Sequence, residues 1–162
     1  MMLEALGHVN ARKPLEHLIV VSGLKEAQRG PIRERAEKGG IGHLVRWLPY
    51  LDRQELIAVY AGADLTIYPS RVEGWGIPVV ESLVVGTPIV TSHTSGMLEA
   101  GGDHATYFDP TNLDDMVDKI EHAIEHRGDF DAIRDDAVAR ARTFTWQRAA
   151  ELTYDAYRRV VS

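Results

Sequence analysis

Short apolar runs alternate with longer amphipathic segments along most of the chain. The runs are too short for helices and are bounded by Gly, Pro or Ser, so they predict β-strands. These strands are expected at residues 18–23, 44–49, 65–69, 88–92 and 106–109. The first run is apolar without a break from Leu18 to Val21, which is typical of a strand buried on both faces.

The segments between the apolar runs have helical periodicity. They predict helices at residues 2–10, 25–38, 51–61, 77–85, 131–144 and 145–162, another from residue 113 onward, and a short helix or turn at 94–100. Asp52 and Glu55 form a candidate capping box, and Asn112 or Thr111 is a candidate N-cap. Because strands alternate with helices and no hairpin turns occur, we expect an α/β fold with a doubly wound, Rossmann-like parallel sheet.

Composition and charge narrow the possible functions. With 162 residues the chain can bury a core as one domain, residues 1–162. The net charge of −6, without a Lys/Arg block, argues against a nucleic-acid or membrane-surface partner. The sequence contains no Cys, no apolar run near the ~20 residues of a membrane span, and no signal-peptide pattern. We therefore expect a cytoplasmic protein without a membrane span.

Small, polar or turn-forming residues lie at the carboxyl ends of four of the predicted strands. They are Ser22, Gly23, Pro49, Ser70, Ser92 and His93. Ligands of open parallel sheets bind outside the carboxyl ends of the strands. These residues therefore mark a candidate binding edge.

The loop that follows the third predicted strand has the chemistry of an anion site between two carboxylates. Gly74 and Gly76 let the backbone approach a ligand, and Pro78 suits the first turn of a helix. The free amides of a helix N-terminus favour phosphate. Glu73 and Glu81 accept hydrogen bonds only, so they suit hydroxyl donors. Together they suggest a sugar nucleotide, with Glu81 at the ribose and Glu73 at the transferred sugar.

Each acid taken alone has an equally good structural explanation. Glu81 gains roughly 0.3–1 kcal/mol from the dipole near the start of a helix. Glu73 would then be a solvated loop residue. The glycines, the proline and the neighbouring strand ends together favour the binding site.

The same residues carry a family resemblance. Residues 69–82, Pro-Ser-Arg-Val-Glu-Gly-Trp-Gly-Ile-Pro-Val-Val-Glu-Ser, followed by residues 86–92, resemble the donor-binding signature of group 1 (family 4) GT-B glycosyltransferases. The E-x7-E pattern of that signature runs from Glu73 to Glu81. Further similarity lies at residues 99–105, 108–110 and 144–146.

The resemblance implies a fold and a set of roles. The family has two Rossmann-like domains around a cleft, and this chain resembles the C-terminal, donor-binding one. The loop after Glu73 would meet the donor phosphates and sugar, Glu81 would bind the ribose, and the backbone at residues 46–48 would border the base. The expected donor-binding residues are Ser22, Gly23, Arg46, Trp47, Leu48, Gly74, Trp75, Gly76, Ile77 and Glu81, with Glu73 as the catalytic residue.

The implied enzyme is a retaining hexosyltransferase that uses a UDP-, GDP- or ADP-sugar without a metal or another cofactor. Two features depart from the family pattern. An Arg and a Lys that the family supplies ahead of the first helix are absent, since Arg12 and Lys13 come too late, and Pro49 replaces a common glycine. No acceptor domain is present, so we expect a donor-binding half that is inactive alone.

Two other functions remain open. One is a GT-B-like binding module without turnover, and the other is half of a sugar-nucleotide epimerase, which the loop pattern disfavours.

His122 and His126 match the H-x-x-E-H zinc pattern, but few residues remain for its downstream ligand. His93 could contact the donor or could have a capping or solvated role. Trp146 is predicted to pack the last helix rather than to stack on a base.

Overall fold

A computed structural model describes residues 1–161 of the chain. The predicted strands are confirmed as β1 Ile19–Val21, β2 Val45–Trp47, β3 Thr66–Tyr68, β4 Ile89–Ser92 and β5 Thr106–Phe108. The helices are α1 Met2–Arg12, α2 Glu26–Lys38, α3 Arg53–Ala61, α4 Ile77–Val84, α5 Ser95–Gly101, α6 Leu113–Glu125, α7 Arg127–Asp131, α8 Arg134–Ala141 and α9 Trp146–Val161. Ser162, the last residue of the final predicted helix, lies outside the described residues.

All described strand pairs are parallel, as predicted, but they form two ladders. The first joins β1 to β2, with Ile19 opposite Val45. The second has the order β3-β4-β5, with Thr66 opposite Ile89 and Val90 opposite Thr106. No ladder joins β1 to β3 in the described part of the chain. The sheet is therefore split where a single sheet is expected.

Helices cover both sides of the strands, so the arrangement is doubly wound as predicted. On one side α1 lies between α2 and α6, and its buried residues Leu3, Leu6 and Val9 share a core with β2, β4 and β5. On the other side α4 packs against α5 and α8, around Val79 and Leu83. The helix caps at Asp52 and Asn112 are confirmed, because each side chain accepts a hydrogen bond from a backbone amide in the first turn of its helix.

The prediction that β1 is buried on both faces is wrong. Ile19 and Val21 pack against the core, but Val20 is 47% exposed and the preceding Leu18 is 59% exposed. A strand in the middle of a covered parallel sheet does not leave such side chains in water. Because side chains alternate along a strand, Val20 lies on the face opposite Ile19 and Val21, and it is exposed there.

The C-terminal part departs from the prediction in two ways. The predicted helix at 131–144 is shorter in the structure: α8 covers residues 134–141, Asp131 ends the separate helix α7, and the backbone at Ile133 is not helical. Helix α9 is amphipathic, but Trp146 is 82% exposed and does not pack it. None of the helices in residues 1–161 combines the length and the apolar composition that crossing a membrane requires.

Candidate functional site

Two side-chain hydrogen bonds and one backbone hydrogen bond join the carboxyl ends of β3, β4 and β5 into one edge. Thr91, buried in β4, donates its hydroxyl to the carbonyl of Tyr68 at 2.9 Å. The Ser92 hydroxyl donates to the carbonyl of Ser70. The His93 amide donates to the carbonyl of Phe108 at 2.7 Å. These bonds fix the point from which the loop at 69–76 departs.

The loop ends in a left-handed glycine that begins α4. Gly76 is the N-cap residue, with φ 102°, and no side chain caps the helix. Pro78 lies in the first turn, where its missing N–H costs nothing. The amino terminus of α4 thus presents backbone donors and a positive dipole end at the strand edge. This is the local structure that the Gly-rich pattern predicts.

Close packing against α5 holds the loop in place. A Cβ added at Gly76 would lie 2.7 Å from the sulfur of Met97. A Cβ added at Gly96 would lie 2.8 Å from the Cα of Trp75. The Trp75 ring in turn meets Phe144 edge-on, with 4.8 Å between ring centroids. Glycine at 96 is needed because two backbones touch there, which the local sequence pattern does not show.

Glu73 is held by two hydroxyl donors. The Tyr68 hydroxyl donates to Oε1 of Glu73 at 2.5 Å, and the Ser70 hydroxyl donates to the same oxygen at 2.9 Å. These two bonds, that from Tyr68 first, lower the pKa of Glu73. Burial, followed by the bond to Glu73, raises the pKa of Tyr68 to about 12. Glu73 is therefore an ionised acceptor with a fixed orientation.

A second tyrosine, Tyr60, lies beside Glu81. Glu81 is half-buried in α4, four residues after Ile77, and it lies beside the hydroxyl of Tyr60 from α3. Burial, then the charge of Glu81 and a hydrogen bond to it, raise the pKa of Tyr60 to about 12. Glu81 also contributes to the raised pKa of Tyr68. The two carboxylates and two tyrosines thus form one cluster.

The sequence interpretation did not identify either tyrosine. Tyr68 ends β3, so the rule that ligands bind at strand ends could have found it. Tyr60 lies near the end of α3 and meets Glu81 only because α3 packs on α4. No pattern within α3 indicates that contact.

The residues expected to border the base lie on the other ladder. The Leu48 amide donates to the carbonyl of Val21 at 2.9 Å, and the Leu48 carbonyl accepts from Arg29 at 2.9 Å. Trp47 is half-buried against the core, beneath the guanidinium of Arg33. The backbone at Leu48 is therefore already engaged within the protein.

Three further expected residues are exposed or half-exposed. Arg46 donates to the carbonyls of His43 and Val45, so its side chain is directed to the start of β2. Ser22 and Gly23 follow β1 at its carboxyl end, and Gly23 adopts a left-handed φ of 78°. Only their backbone and the Ser22 hydroxyl could contact a ligand at that edge.

An open pocket lies at the carboxyl ends of β4 and β5. Its volume is about 480 Å³, and it is lined by His93, Tyr107, Phe108, Asp109, Pro110, Asp115 and Lys119. His93 thus lies at the candidate edge, exposed to solvent. The Thr111 hydroxyl and amide both donate to Asp109 and lower its pKa.

The H-x-x-E-H histidines lie at the opposite edge. His122 and His126 border a smaller pocket of about 120 Å³ that is also lined by Leu65 and Pro88, at the amino ends of β3 and β4. Their rings are 4.3 Å apart. Among residues 1–161, no group of three or more His, Cys, Asp or Glu side chains could hold a metal ion.

The geometry defines a Rossmann-like α/β domain with a helix amino terminus and two carboxylates at the carboxyl edge of its strands. The chain belongs to the family described as glycosyl transferases group 1, whose sequence profile matches residues 1–143. It corresponds to the C-terminal half of the GT-B glycosyltransferase fold.

Relatives of known function are longer than this chain. The O-antigen chain mannosyltransferase B of Escherichia coli is 27% identical over 161 residues, which cover 97% of this chain and 41% of that protein. A D-inositol 3-phosphate glycosyltransferase of Nocardioides sp. is 31% identical over 123 residues, covering 75% of this chain and 27% of the relative. The chain thus spans less than half the length of these relatives.

Solved structures agree on the fold. Sucrose-phosphate synthase from Thermosynechococcus elongatus superposes with a TM-score of 0.83 at 19% identity, over 98% of this chain and 42% of that one. Anabaena HepE, crystallised with UDP-glucose, superposes with a TM-score of 0.76 at 20% identity, over 93% of this chain and 44% of that one. At such identities these matches establish the fold alone.

Proposed function

We propose that this chain is the nucleotide-sugar-binding half of a retaining glycosyltransferase. The observation that carries the proposal is the uncapped amino terminus of α4, placed between Glu73 and Glu81 at the carboxyl edge of the strands. That terminus suits a diphosphate, and each carboxylate suits hydroxyl groups of a sugar. Membership of the glycosyl transferases group 1 family supports the same function.

In this proposal the diphosphate of the donor lies on the backbone of residues 74–77. Glu81 accepts from the ribose hydroxyls, and Glu73 accepts from hydroxyls of the transferred sugar. When the bond between the anomeric carbon and the diphosphate breaks, negative charge develops on the leaving oxygen. The amides and dipole of α4 stabilise that charge without reorganisation, which is the main catalytic contribution of this half. The acceptor belongs to the other half of the enzyme.

The fixed orientation of Glu73 supports its role at the sugar. Tyr68 and Ser70 both donate to Oε1, so the second carboxylate oxygen has no side-chain donor among the described contacts and can accept from a ligand. Because the pKa of Glu73 is lowered, the group is an acceptor at neutral pH rather than a proton donor. This favours a role in positioning the sugar over general acid catalysis.

Calorimetric titration of the chain with UDP, GDP, ADP and their sugar conjugates tests the proposal. Glu81→Gln should weaken binding of the preferred nucleotide about tenfold or more, because one charge-assisted hydrogen bond is lost. Glu73→Gln should weaken binding of the nucleotide sugar and leave binding of the free nucleotide unchanged. Glu34→Gln, in a surface pair with Lys38, is the matched control. The proposal is wrong if no nucleotide binds, or if neither site substitution changes the affinity.

A further inference from the structure

Both acceptor sites of one Glu73 oxygen are occupied from within the protein. Oε1 accepts from the Tyr68 hydroxyl at 2.5 Å and from the Ser70 hydroxyl at 2.9 Å. The Ser70 hydroxyl also lies 3.3 Å from the carbonyl of Val72, so its single proton is better placed for Glu73. A carboxylate has about four acceptor sites, two on each oxygen. Oε1 therefore has none left for a ligand.

The two hydroxyls that occupy Oε1 belong to residues with anchored backbone. Tyr68 ends β3 opposite Thr91 of β4, and its carbonyl accepts from the Thr91 hydroxyl at 2.9 Å. The carbonyl of Ser70 accepts from the Ser92 hydroxyl. These contacts fix Tyr68 and Ser70 relative to the sheet, so the protein orients Glu73 before any ligand arrives. The hydrogen bonds from Tyr68 and Ser70 also lower the pKa of Glu73, which keeps it an acceptor.

The other oxygen of Glu73, Oε2, has the geometry to accept from one hydroxyl of a sugar. Neighbouring hydroxyl oxygens on a sugar ring lie about 2.8–2.9 Å apart, so at hydrogen-bond distance from one acceptor they subtend roughly 60°. The two acceptor directions of a carboxylate oxygen are roughly 120° apart. Only one of two neighbouring hydroxyls can therefore align with Oε2. A carboxylate with both oxygens free can accept from the pair.

We propose that Tyr68 and Ser70 are positioning residues that restrict Glu73 to a single hydroxyl of the transferred sugar. This inference rests on the proposed function, which places the sugar of a nucleotide sugar at Glu73. Glu73 then distinguishes sugars at one ring position, which must carry a hydrogen-bond donor, and it does not respond to the hydroxyl beside that position. Phenylalanine at position 68 would open one acceptor site on Oε1 and extend the contact to the neighbouring hydroxyl.

Deoxyfluoro sugars test the proposal, because fluorine replaces a hydroxyl without donating a hydrogen bond. Calorimetry first identifies the preferred ligand among UDP-glucose, GDP-mannose and ADP-glucose. Analogues with fluorine in place of each sugar hydroxyl in turn are then titrated into the original chain and Tyr68→Phe, each with and without Glu73→Gln. Glu73 contacts a position if the fluorine penalty there disappears with Glu73→Gln. Tyr157→Phe, at a residue 69% exposed in α9, is the control for loss of a tyrosine hydroxyl.

In the original chain, one position should show a Glu73-dependent loss of affinity of about tenfold or more, because one hydrogen bond to a charged group is lost. Tyr68→Phe should add a neighbouring position, and Tyr157→Phe should not. Ser70→Ala opens the same oxygen and gives a second variant, and circular dichroism checks that each variant is folded.

Two Glu73-dependent positions in the original chain would overturn the proposal and leave the proposed function intact. So would an unchanged pattern in a folded Tyr68→Phe or Ser70→Ala variant. If no nucleotide sugar binds, or if no position depends on Glu73, this proposal and the assignment of Glu73 to the sugar are both wrong.

Discussion

Replacing Gly96 by alanine tests whether the α4 loop is held by backbone contact with α5. The new Cβ would lie 2.8 Å from the Cα of Trp75 and 3.0 Å from its nitrogen and oxygen. Ordinary van der Waals contact begins near 3.4 Å, so the loop and α5 must separate by about 0.6 Å. The opposing atoms belong to the backbone, so a side-chain rotation cannot relieve the clash.

The size of the effect follows from that displacement. Overpacking costs about 1–3 kcal/mol. Alanine in a helix recovers about 0.5–1 kcal/mol relative to glycine, so the net loss is at most about 2.5 kcal/mol and is about 1 kcal/mol at the centre of these ranges. In a domain of this length a loss of about 1 kcal/mol corresponds to a decrease of roughly 2–4 °C in Tm. If the loop binds a nucleotide sugar, the shift should also weaken binding about tenfold or more, because sites tolerate displacements of only ~0.5 Å.

Thermal unfolding by circular dichroism and calorimetric titration with the preferred nucleotide measure both effects. Gly128→Ala is the matched control: a Cβ there meets nothing within 4 Å, and Gly128 is the second residue of α7 as Gly96 is of α5, so Tm should not fall. A Gly96→Ala variant as stable as the original chain, with equal affinity, would refute the close contact between α5 and the loop.

The remaining predictions concern one ionised group and one helix cap. Tyr68→Phe removes the first donor to Glu73, so the pKa of Glu73 should rise toward its usual value in a carbon-detected NMR titration; an unchanged pKa would contradict the hydrogen bond. Because the Glu73 pKa is lowered, its stabilising contribution is present above the usual carboxyl pKa and is lost as pH falls through the folded value. Asp52→Ala should cost about 1 kcal/mol, or ~2–4 °C in Tm, whereas an unaffected Tm would refute the cap at α3.

Local features were predictable because their causes lie within a few residues. The capping box at Asp52 depends on Glu55, three residues later, and the start of α4 depends on Gly76 and Pro78. Strand positions follow from apolar runs that end at turn-forming residues. Glu73 and Glu81 could be predicted as site residues for the same reason, since the glycines and the proline between them already indicate a binding loop.

Features that depend on distant parts of the chain were not predictable. The exposure of Val20 depends on which face of β1 is covered by other elements, and the apolar run at β1 does not indicate that. The bend at Ile133 has no Gly or Pro to mark it; Phe130 and Ala137 on its two sides both pack into the core around Leu83. The contact between Tyr60 and Glu81 forms only once α3 and α4 are packed.

The edge-on ring contact between Trp75 and Phe144 connects the candidate site to the region just before the solvent-exposed C-terminal helix. Trp75 belongs to the loop ahead of α4, and Phe144 lies two residues before the exposed helix α9. A ligand that orders Trp75 and a partner that immobilises α9 would act on this one ring pair. If either changes the affinity for the other, thermodynamic linkage requires the same factor in both directions. Binding of a ligand at the strand edge and binding of a partner to α9 would then be coupled equilibria. A double-mutant cycle that includes a substitution of Phe144 would measure that coupling.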